Sequence, residues 1–419
     1  MKTLLGLLLI VRRSLRQHAV STTVTALSAA LAAGLVMAVV GISAQTRLAF
    51  TDGAVAFDAV LGARGSALQL ILNTVFHLET SPGNIPWELY QTVKADRRVT
   101  AAVPFAVGDS YRGFRVVGTT EELFALKPAN GPGLEPEPGG RLFDPARREA
   151  VVGSVVAQRS GLRVGSKFNP THGVEAGGVT HEEEYVVVGV LKPTNSPSDR
   201  VVWIPLEGIF RMKGHVLRGA GEEFAATPGQ AIDDKHKEVS AVLLKFRAPQ
   251  AGFALSDLVN RQGKVATLAW PIGAVMADLF EKLGWMSRVL GVVAWLVVAV
   301  AAGSILASLY NAMNERRREF AILRALGARR STVFSAIVLE SSTIAGIGAI
   351  LGFAVYAAIV AVAAGVIREQ TGVVLEAWRF DESMAWTPLG IVAAGALAGL
   401  APAYKAYSTD VAENLAPGS

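Results

Sequence analysis

Four long apolar runs without a charged residue dominate the hydrophobic pattern of the chain. They cover residues 19–46, 289–314, 341–367 and 383–404. Each run is about 22–28 residues long, and roughly 20 residues of helix are enough to cross a bilayer. The first run is about twice the length of the apolar part of a signal peptide, which favours a permanent anchor. The pattern therefore predicts four transmembrane helices.

The long stretch between the first and second runs carries signals for both strands and helices. Residues 114–118, 150–153, 185–191, 201–204 and 241–246 are short runs of apolar residues and predict strands. Helix is predicted for residues 87–96 and from about 255–259 onwards. Glycine and proline are concentrated in residues 131–140, which are predicted to form a loop. This stretch is therefore predicted to be a mixed α/β domain.

Composition and charge refine this prediction. Apolar residues make up 51% of the 419 residues and charged residues only 18%, which is typical of a membrane protein. The net charge of +5 comes largely from segments beside the apolar runs, and no basic face with interleaved aromatic residues indicates nucleic-acid binding. The chain contains no cysteine, so the predicted domain is expected to fold without disulfide bonds.

The distribution of arginine predicts the orientation in the membrane. The first 18 residues hold Lys2, Arg12, Arg13 and Arg16 and no acidic residue, and residues 315–330 hold six arginines against two glutamates. Residues 368–382 instead hold two arginines against four acidic residues. Because basic segments stay in the cytoplasm, both termini are expected there, in a multi-pass protein of the bacterial inner membrane.

The predicted fold is therefore an α-helical membrane protein with four transmembrane helices and a large mixed α/β extracytoplasmic domain between the first and second. The predicted segments are, in chain order, a cytoplasmic amphipathic helix (1–18), a first span (19–46), the extracytoplasmic domain (47–287) with a β-rich insert at about 142–217, a second span (288–314), a cytoplasmic loop and helix (315–332), a third span (333–367), an extracytoplasmic loop (368–384), a fourth span (385–405) and a cytoplasmic tail (406–419).

The basic loop after the second span is predicted to form an amphipathic helix. Apolar residues recur at helical spacing with arginines between them, and a glycine follows that ends a helix at little steric cost. Such a helix binds lipid headgroups or a partner protein. Its candidate binding residues are Arg317, Arg318, Phe320, Leu323, Arg324, Leu326 and Gly327.

Two features of the third and fourth spans have alternative interpretations. Glu340 stands at the start of the third apolar run, where it either pairs with an arginine of the basic loop or of a neighbouring helix, or simply lies at the interface. The G-x-x-x-G pairs Gly348/Gly352 and Gly395/Gly399 predict close helix packing. Spans rich in alanine and glycine also produce this spacing by chance.

The chain lacks the common catalytic motifs. It has no G-x-x-x-x-G-K-[ST] loop, no G-x-S-x-G elbow and no H-E-x-x-H motif, so it is not expected to be an enzyme or to hydrolyse nucleotide by itself. One cluster remains, in which His172 and His181 flank a glycine-rich loop followed by three glutamates. Imidazole and carboxylate are zinc ligands, so His172, His181 and Glu183 form a candidate metal site. Glu182 or Glu184 could replace Glu183, and Glu175, His215 or His236 would complete the site if the fold brings them close. The alternative is a solvated acidic loop.

Four sequence segments resemble the MacB/FtsX-type family of ABC transporter permeases, also called type VII or mechanotransmission systems. The most specific is RRREFAILRALGA at residues 316–328, after the second span. The others are Glu340 with the glycines that follow it, GLAPAYKAYSTDVAENL at residues 399–415, and FDAVLGARGSALQL at residues 57–70. The layout of one span, a large outer domain and three further spans resembles the family over the whole chain.

The resemblance implies a dimer of permeases, and this chain is expected to lack a fused ATPase domain. A separate cytoplasmic ATPase subunit would bind ATP and Mg²⁺, the amphipathic helix would be the coupling helix, and this chain would bind no cofactor except zinc at the site above. Its motion would drive export or extraction of a lipid, lipoprotein, peptide or amphiphile, with a periplasmic adaptor or lipoprotein as a further partner. The alternatives are a signalling subunit that regulates a cell-wall hydrolase, as in FtsX-type systems, or a metal-responsive binding module.

Overall fold

The computed structural model describes residues 2–51, 56–128, 132–173, 178–213, 215–219, 221–225, 231–371, 375–376, 379 and 382–408. These residues belong to two compact units. The helical unit comprises Met1–Gln45, Leu283–Ala364 and Leu375–Ser419, and the α/β unit comprises Thr46–Lys282 and Gly365–Val374. Each unit is described by itself below.

The α-helices of the described residues are, in chain order, α1 (Lys2–Gln17), α2 (Ala19–Thr51), α3 (Ala67–Thr74), α4 (Trp87–Lys94), α5 (Glu122–Ala125), α6 (Ser154–Ser160), α7 (Leu206–Phe210), α8 (Pro249–Ser256), α9 (Ile272–Glu315), α10 (Arg317–Ala325), α11 (Arg330–Thr371) and α12 (Ser383–Ser408). Short 3₁₀ turns cover Pro197–Arg200 and Asp234–His236, and a π-helical turn, Asp257–Gln262, follows α8.

The strands are β1 (Ala59–Ala63), β2 (Ile85–Pro86), β3 (Val99–Tyr111), β4 (Phe114–Thr119), β5 (Glu149–Val152), β6 (Lys167–Phe168), β7 (Thr171–His172), β8 (Tyr185–Val190), β9 (Val201–Pro205), β10 (Glu238–Val239), β11 (Ala241–Phe246) and β12 (Ala266–Ala269). The five strands predicted from the sequence are confirmed to within one or two residues at each end, as is the helix at α4. The sequence pattern did not predict strands at β1, the long β3 or β12.

One mixed sheet organises the α/β unit. Its strand order is β12-β1-β11-β3-β4-β9-β5-β8-β6, with β7 paired to β3 off this path, and β10 pairs with β2 in a separate small sheet. The pairs β4–β9 and β5–β8 are parallel, and the other pairs are antiparallel. The strands of the predicted insert at 142–217 therefore extend this sheet and do not build a separate one.

Strand β3 joins the two halves of the sheet. Its first part pairs with β11 in antiparallel register, and its second part pairs with β4 on one side and β7 on the other. The register with β4 shifts between Val107 and Asp109, so Gly108 is the extra residue of a β-bulge. A bulge changes the direction in which the following side chain points.

Both faces of the sheet carry an apolar core. Side chains of a strand alternate between faces, and neighbours accordingly divide between two clusters: Val116 and Val202 lie in one, Val117 and Trp203 in the other. The fully buried Trp203 packs edge-on to His77 and tilted against Phe105. This explains why several strands read as continuous apolar runs and not as alternating ones.

The helical unit contains long apolar helices. Among the residues that the structure describes, four helical segments are long and apolar enough to span a membrane: Ala19–Leu48, Ile272–Glu315, Arg330–Arg368 and Ser383–Tyr407. Large apolar side chains such as Trp295, Ile350 and Val362 are about 70% exposed, which suits lipid and not water. The fold is thus the predicted one, with four candidate membrane helices and a large mixed α/β domain encoded between the first and the later ones.

Candidate functional site

Helix α10 is the amphipathic helix that the sequence predicts after the second span. It begins directly after Arg316 and ends before Gly327, whose φ of +97° lies in the left-handed region. The N–H of Ala328 donates to the carbonyl of Leu323 at 3.0 Å, and the N–H of Gly327 donates to that of Arg324 at 3.0 Å. This is the hydrogen-bond pattern of a glycine C-cap, so the predicted role of Gly327 in ending the helix is confirmed.

The predicted binding residues of α10 lie on two different faces. Phe320 is buried and Leu323 is partly buried, and both pack against Met313, Val333 and Ile337 of the flanking helices. Phe320 is thus used within the chain itself, and Leu323 packs against the same cluster with part of its side chain.

The opposite face of α10 is open. Leu326 is 80% exposed and Ile322, one turn earlier, is 44% exposed. Arg318 is exposed and Arg324 is half-buried, while the side chain of Arg317 lies outside the described residues. A leucine and an isoleucine four residues apart thus form an exposed apolar pair beside a basic residue, which we call the α10 face (Arg318, Ile322, Leu326).

A buried polar cluster lies at the start of α10. Glu340 of α11 is only 6% exposed, and its neighbours Arg316 and Ser14 are buried as well. The Ser14 hydroxyl of α1 donates to Glu340 Oε1, Arg316 Nη1 donates to Ser14 Oγ at 2.6 Å, and Arg316 Nη1 lies 3.4 Å from Glu340 Oε2. Of the two interpretations of Glu340, this geometry corresponds to pairing with an arginine of the basic loop.

Arg316 is further held on the α10 side. Its Nε donates to Glu319 Oε2 at 3.2 Å, and its guanidinium lies 5.0 Å from the ring centre of Phe320. The cluster therefore connects α1, the junction between α9 and α10, and the start of α11 through one cation.

The four glycines of the G-x-x-x-G pairs lie where helices approach closely. A Cβ on Gly352 would stand 2.6 Å from the Cβ of Ala33, and one on Gly348 would overlap Ala29, both on α2. Cβ atoms on Gly395 and Gly399 would overlap Ala345 and Ser341 of α11 in the same way. Side chains at these positions would force the helices apart.

A second cluster lies in the α/β unit. His172 and His181, which flank the predicted glycine-rich loop, converge with His215 on the carboxylate of Asp109, and one ligand atom of each residue lies within 4.8 Å of the others. Asp109 Oδ1 lies 3.1 Å from His181 Nε2, 3.1 Å from His215 Nε2 and 3.4 Å from His172 Nδ1. We call these four residues the histidine cluster.

The third predicted ligand, Glu183, does not belong to this cluster. Its Oε1 accepts a hydrogen bond from the backbone N–H of Lys213 at 3.0 Å. The prediction that Glu183 completes the site is thus corrected: Asp109 and His215 occupy the positions beside His172 and His181. The strand register brings Asp109 opposite His172, which a sequence without strand pairing does not reveal.

Comparison with known protein families bears on both units. The FtsX-like permease C-terminal family matches residues 291–411, which include α10, Glu340 and all four glycines. The MacB-like periplasmic core domain family matches residues 22–245, more than half of the chain. The chain belongs to the MacB/FtsX-type permease family. It is therefore a permease of the ABC-transporter type and a multi-pass protein of the bacterial inner membrane.

Two relatives of this permease are similar over part of their length. The lipoprotein-releasing system transmembrane protein LolC of Neisseria meningitidis serogroup B is 24% identical over 231 residues, covering 52% of this chain and 51% of LolC. The macrolide export ATP-binding/permease protein MacB of Hyphomonas neptunium is 24% identical over 238 residues, covering 55% of this chain and 33% of MacB. This permease thus spans about half of the first relative and a third of the second.

Among solved structures, the periplasmic region of MacB from Actinobacillus actinomycetemcomitans is similar to 54% of this chain and is itself covered to 94%, with 11% identity and a TM-score of 0.34. A likeness at that score carries no conclusion about shared geometry.

Sequence reasoning missed three residues of the two clusters: Ser14, Arg316 and Asp109. A signal existed for two of them. Arg316 is the first arginine after the second apolar run, and Asp109 is a carboxylate that interrupts the apolar residues of β3 directly after a glycine. Ser14 gives no such signal, because a serine in an amphipathic helix is ordinary.

Proposed function

We propose that this chain is the permease subunit of an ABC transporter whose ATPase is a separate cytoplasmic subunit, and that the α10 face binds this ATPase. Two permease copies and two ATPase copies would form the complex, with both termini in the cytoplasm. ATP hydrolysis would move the spans and, through them, the periplasmic domain. The cargo would be an amphiphile, and the relatives named for lipoprotein release and for macrolide export support that class.

The exposed α10 face is the observation that carries this proposal. An 80% exposed leucine and a 44% exposed isoleucine at the end of a basic helix are unfavourable in water, and burying them in a partner stabilises the complex. Phe320 and Leu323 fix the opposite side of the same helix inside the permease. The helix is therefore both anchored and available, as a docking element must be.

The buried cluster at the base of α10 supports a role in coupling. Arg316 stands immediately before the helix and is tied to Glu340 of α11 and Ser14 of α1. A displacement of α10 by a bound ATPase would have to move this arginine, or break its contacts inside the protein. The buried ion pair therefore supports the transfer of motion from α10 to α11 and α1.

The test compares two carboxylates placed on exposed helical positions. Leu326→Asp puts a charge in the centre of the α10 face, where burial without a partner costs several kcal/mol. Gln17→Asp puts the same group on the exposed end of α1 and serves as the matched control. The permeases are purified in detergent from their native host, and the ATP hydrolysis that co-purifies is measured per permease.

Wild type and Gln17→Asp should carry the ATPase, and Leu326→Asp should lose at least 90% of it while its own thermal unfolding midpoint is unchanged. Full ATPase retention by Leu326→Asp would show that α10 is not the docking face. Absence of hydrolysis from the wild-type preparation would refute the separate ATPase.

A further inference from the structure

We propose that the histidine cluster is a zinc site in which His172, His181, His215 and Asp109 supply four ligands. The four residues come from different parts of the chain: β3, β7, the segment after the loop that β7 opens, and the segment after α7. Neither the family matches nor the proposed transport function assigns a metal to this domain. The site goes beyond both.

The proton positions on His181 support a metal. Its Nδ1 lies 3.0 Å from the backbone carbonyl oxygen of Lys213, and a carbonyl only accepts, so Nδ1 carries a hydrogen. In the neutral ring, Nε2 is then a bare lone pair, and it faces Asp109 Oδ1 at 3.1 Å. Two acceptors that face each other need either a proton or a metal ion between them. A ligating imidazole whose other nitrogen donates to a carbonyl is the usual arrangement around protein-bound zinc.

The other two imidazoles converge on the same carboxylate oxygen. His215 Nε2 lies 3.1 Å from Asp109 Oδ1 and 3.3 Å from His172 Nδ1. One hydrogen on His215 Nε2 could serve only one of these neighbours. Without a metal, a proton on His181 Nε2 would have to fill the gap between its two acceptors, while three rings with centres 5.1–5.7 Å apart crowd one carboxylate oxygen.

The spacing of the ligand atoms suits tetrahedral zinc. Ligand atoms about 2.0–2.1 Å from zinc stand about 3.3 Å apart in a tetrahedron. Four of the six separations among the ligand atoms are 3.1, 3.1, 3.3 and 3.4 Å, and all of them are within 4.8 Å. Three imidazoles with one carboxylate favour zinc over calcium and magnesium, which prefer oxygen ligands throughout.

The surroundings hold the ligands in place and leave a path for the ion. The carboxylate of Asp109 is fully buried, its Oδ2 has no hydrogen-bond partner among the described residues, and His181 is 5% exposed. His172 is 57% exposed, and a cavity of about 320 Å³ reaches it and His215 from the surface. The bulge at Gly108 directs Asp109 toward the cluster. The bound ion would cross-link β3 to two otherwise separate loop segments.

The experiment uses the full-length permease in detergent, stripped with a chelator and then titrated with zinc against a chromophoric competitor at pH 7.5. We expect about one zinc per chain with submicromolar affinity, and a raised thermal unfolding midpoint when zinc is added. Asp109→Asn and His181→Ala should weaken binding more than 100-fold, since even losing a supporting contact around a metal costs 10–100-fold. His236→Ala, which lies outside the cluster, should bind like wild type.

Cobalt substitution reads the geometry directly. Cobalt(II) in the wild-type site should give the intense visible absorption of a tetrahedral complex, and Asp109→Asn, which keeps the side-chain shape, should lose it. Absence of zinc binding by the folded wild type overturns the site, as does undiminished binding by Asp109→Asn and His181→Ala together. A weak, octahedral cobalt spectrum overturns the four-ligand arrangement. Neither result depends on whether an ATPase co-purifies, so this proposal and the proposed function are tested separately.

Discussion

The helical unit buries one cation against one anion, whereas the α/β unit gathers three imidazoles around one carboxylate. In the first cluster every polar group has a protein partner: Arg316 meets Glu340, Ser14 and Glu319. In the second, three ring nitrogens face the single oxygen Oδ1 of Asp109, two at 3.1 Å and one at 3.4 Å. A buried cluster that is complete points to a structural tie, and one that lacks a cation points to a ligand.

Removing the arginine from the complete cluster should have the largest effect. Arg316→Met leaves the buried Glu340 without its cation, and breaking a buried pair on one side costs about 3–5 kcal/mol. The double variant Arg316→Met/Glu340→Leu removes both charges and should recover most of this loss. Thermal and denaturant unfolding of the purified variants in detergent measure both. A single variant as stable as wild type would show that the pair does not contribute to folding.

An effect of intermediate size is expected at a buried histidine that is not paired with a carboxylate. His77 is packed between Phe105 and Trp203, and burial, together with the nearby positive charge of Arg115, lowers its pKa to about 3. The unfolded chain takes up a proton below about pH 6.5, but the folded one does not. Stability should therefore fall with decreasing pH from 6.5 toward 3, by about 1.4 kcal/mol per pH unit.

His77→Asn removes this titration, and asparagine tolerates the backbone φ of 55° at this position. The unfolding free energy of this variant should be lower than that of wild type at pH 7. Between pH 6 and 4, however, it should fall less steeply, because the variant lacks the one proton taken up by His77 on unfolding. His236→Asn, at a ring that stacks on Phe224, should keep the wild-type slope. An unchanged slope in His77→Asn would mean that another group causes the acid sensitivity.

The smallest effect is expected at Glu183, which follows His181 by two residues but whose carboxylate accepts from the Lys213 N–H and is not part of the histidine cluster. Glu183→Gln keeps an oxygen that accepts from the Lys213 N–H, so zinc affinity should stay within about threefold of wild type, a change of less than about 1 kcal/mol. The same competition titration provides the measurement. A large loss would place Glu183 among the ligands and displace Asp109 or His215.

The sequence predicted the parts of this protein that depend on local pattern. Apolar runs are sufficient to define membrane helices, and a glycine at φ +97° ends α10 at the residue where its lack of a side chain matters. The apolar strands β4, β5, β8, β9 and β11 were recognisable for the same reason. The helix signal also located the α10 residues, although it could not separate the inward Leu323 from the outward Leu326.

The two clusters depend instead on contacts between distant residues. Asp109 and His181 are 72 positions apart, and Ser14 and Glu340 are 326 positions apart. Only the pairing of β3 with β7 and the packing of α1 on α11 bring them together. The sequence thus pointed to the three histidines of the candidate zinc site, but it offered the neighbouring glutamates as the acidic ligand and not Asp109.

The glycine contacts also limit how the spans can move. Gly348 and Gly352 of α11 meet Ala29 and Ala33 of α2 one turn apart, and Gly34 of α2 meets Val355 in return. An axial slip of one residue, about 1.5 Å, would bring methyl groups into positions that only a hydrogen atom fits. Gly395 and Gly399 hold α12 against α11 in the same way.

By contrast, Gly291 and Gly303 of α9 have open space around them among the described residues. Helices α2, α11 and α12 should therefore behave as one rigid lever, whereas the contacts of α9, which leads directly into α10, do not depend on these two glycines.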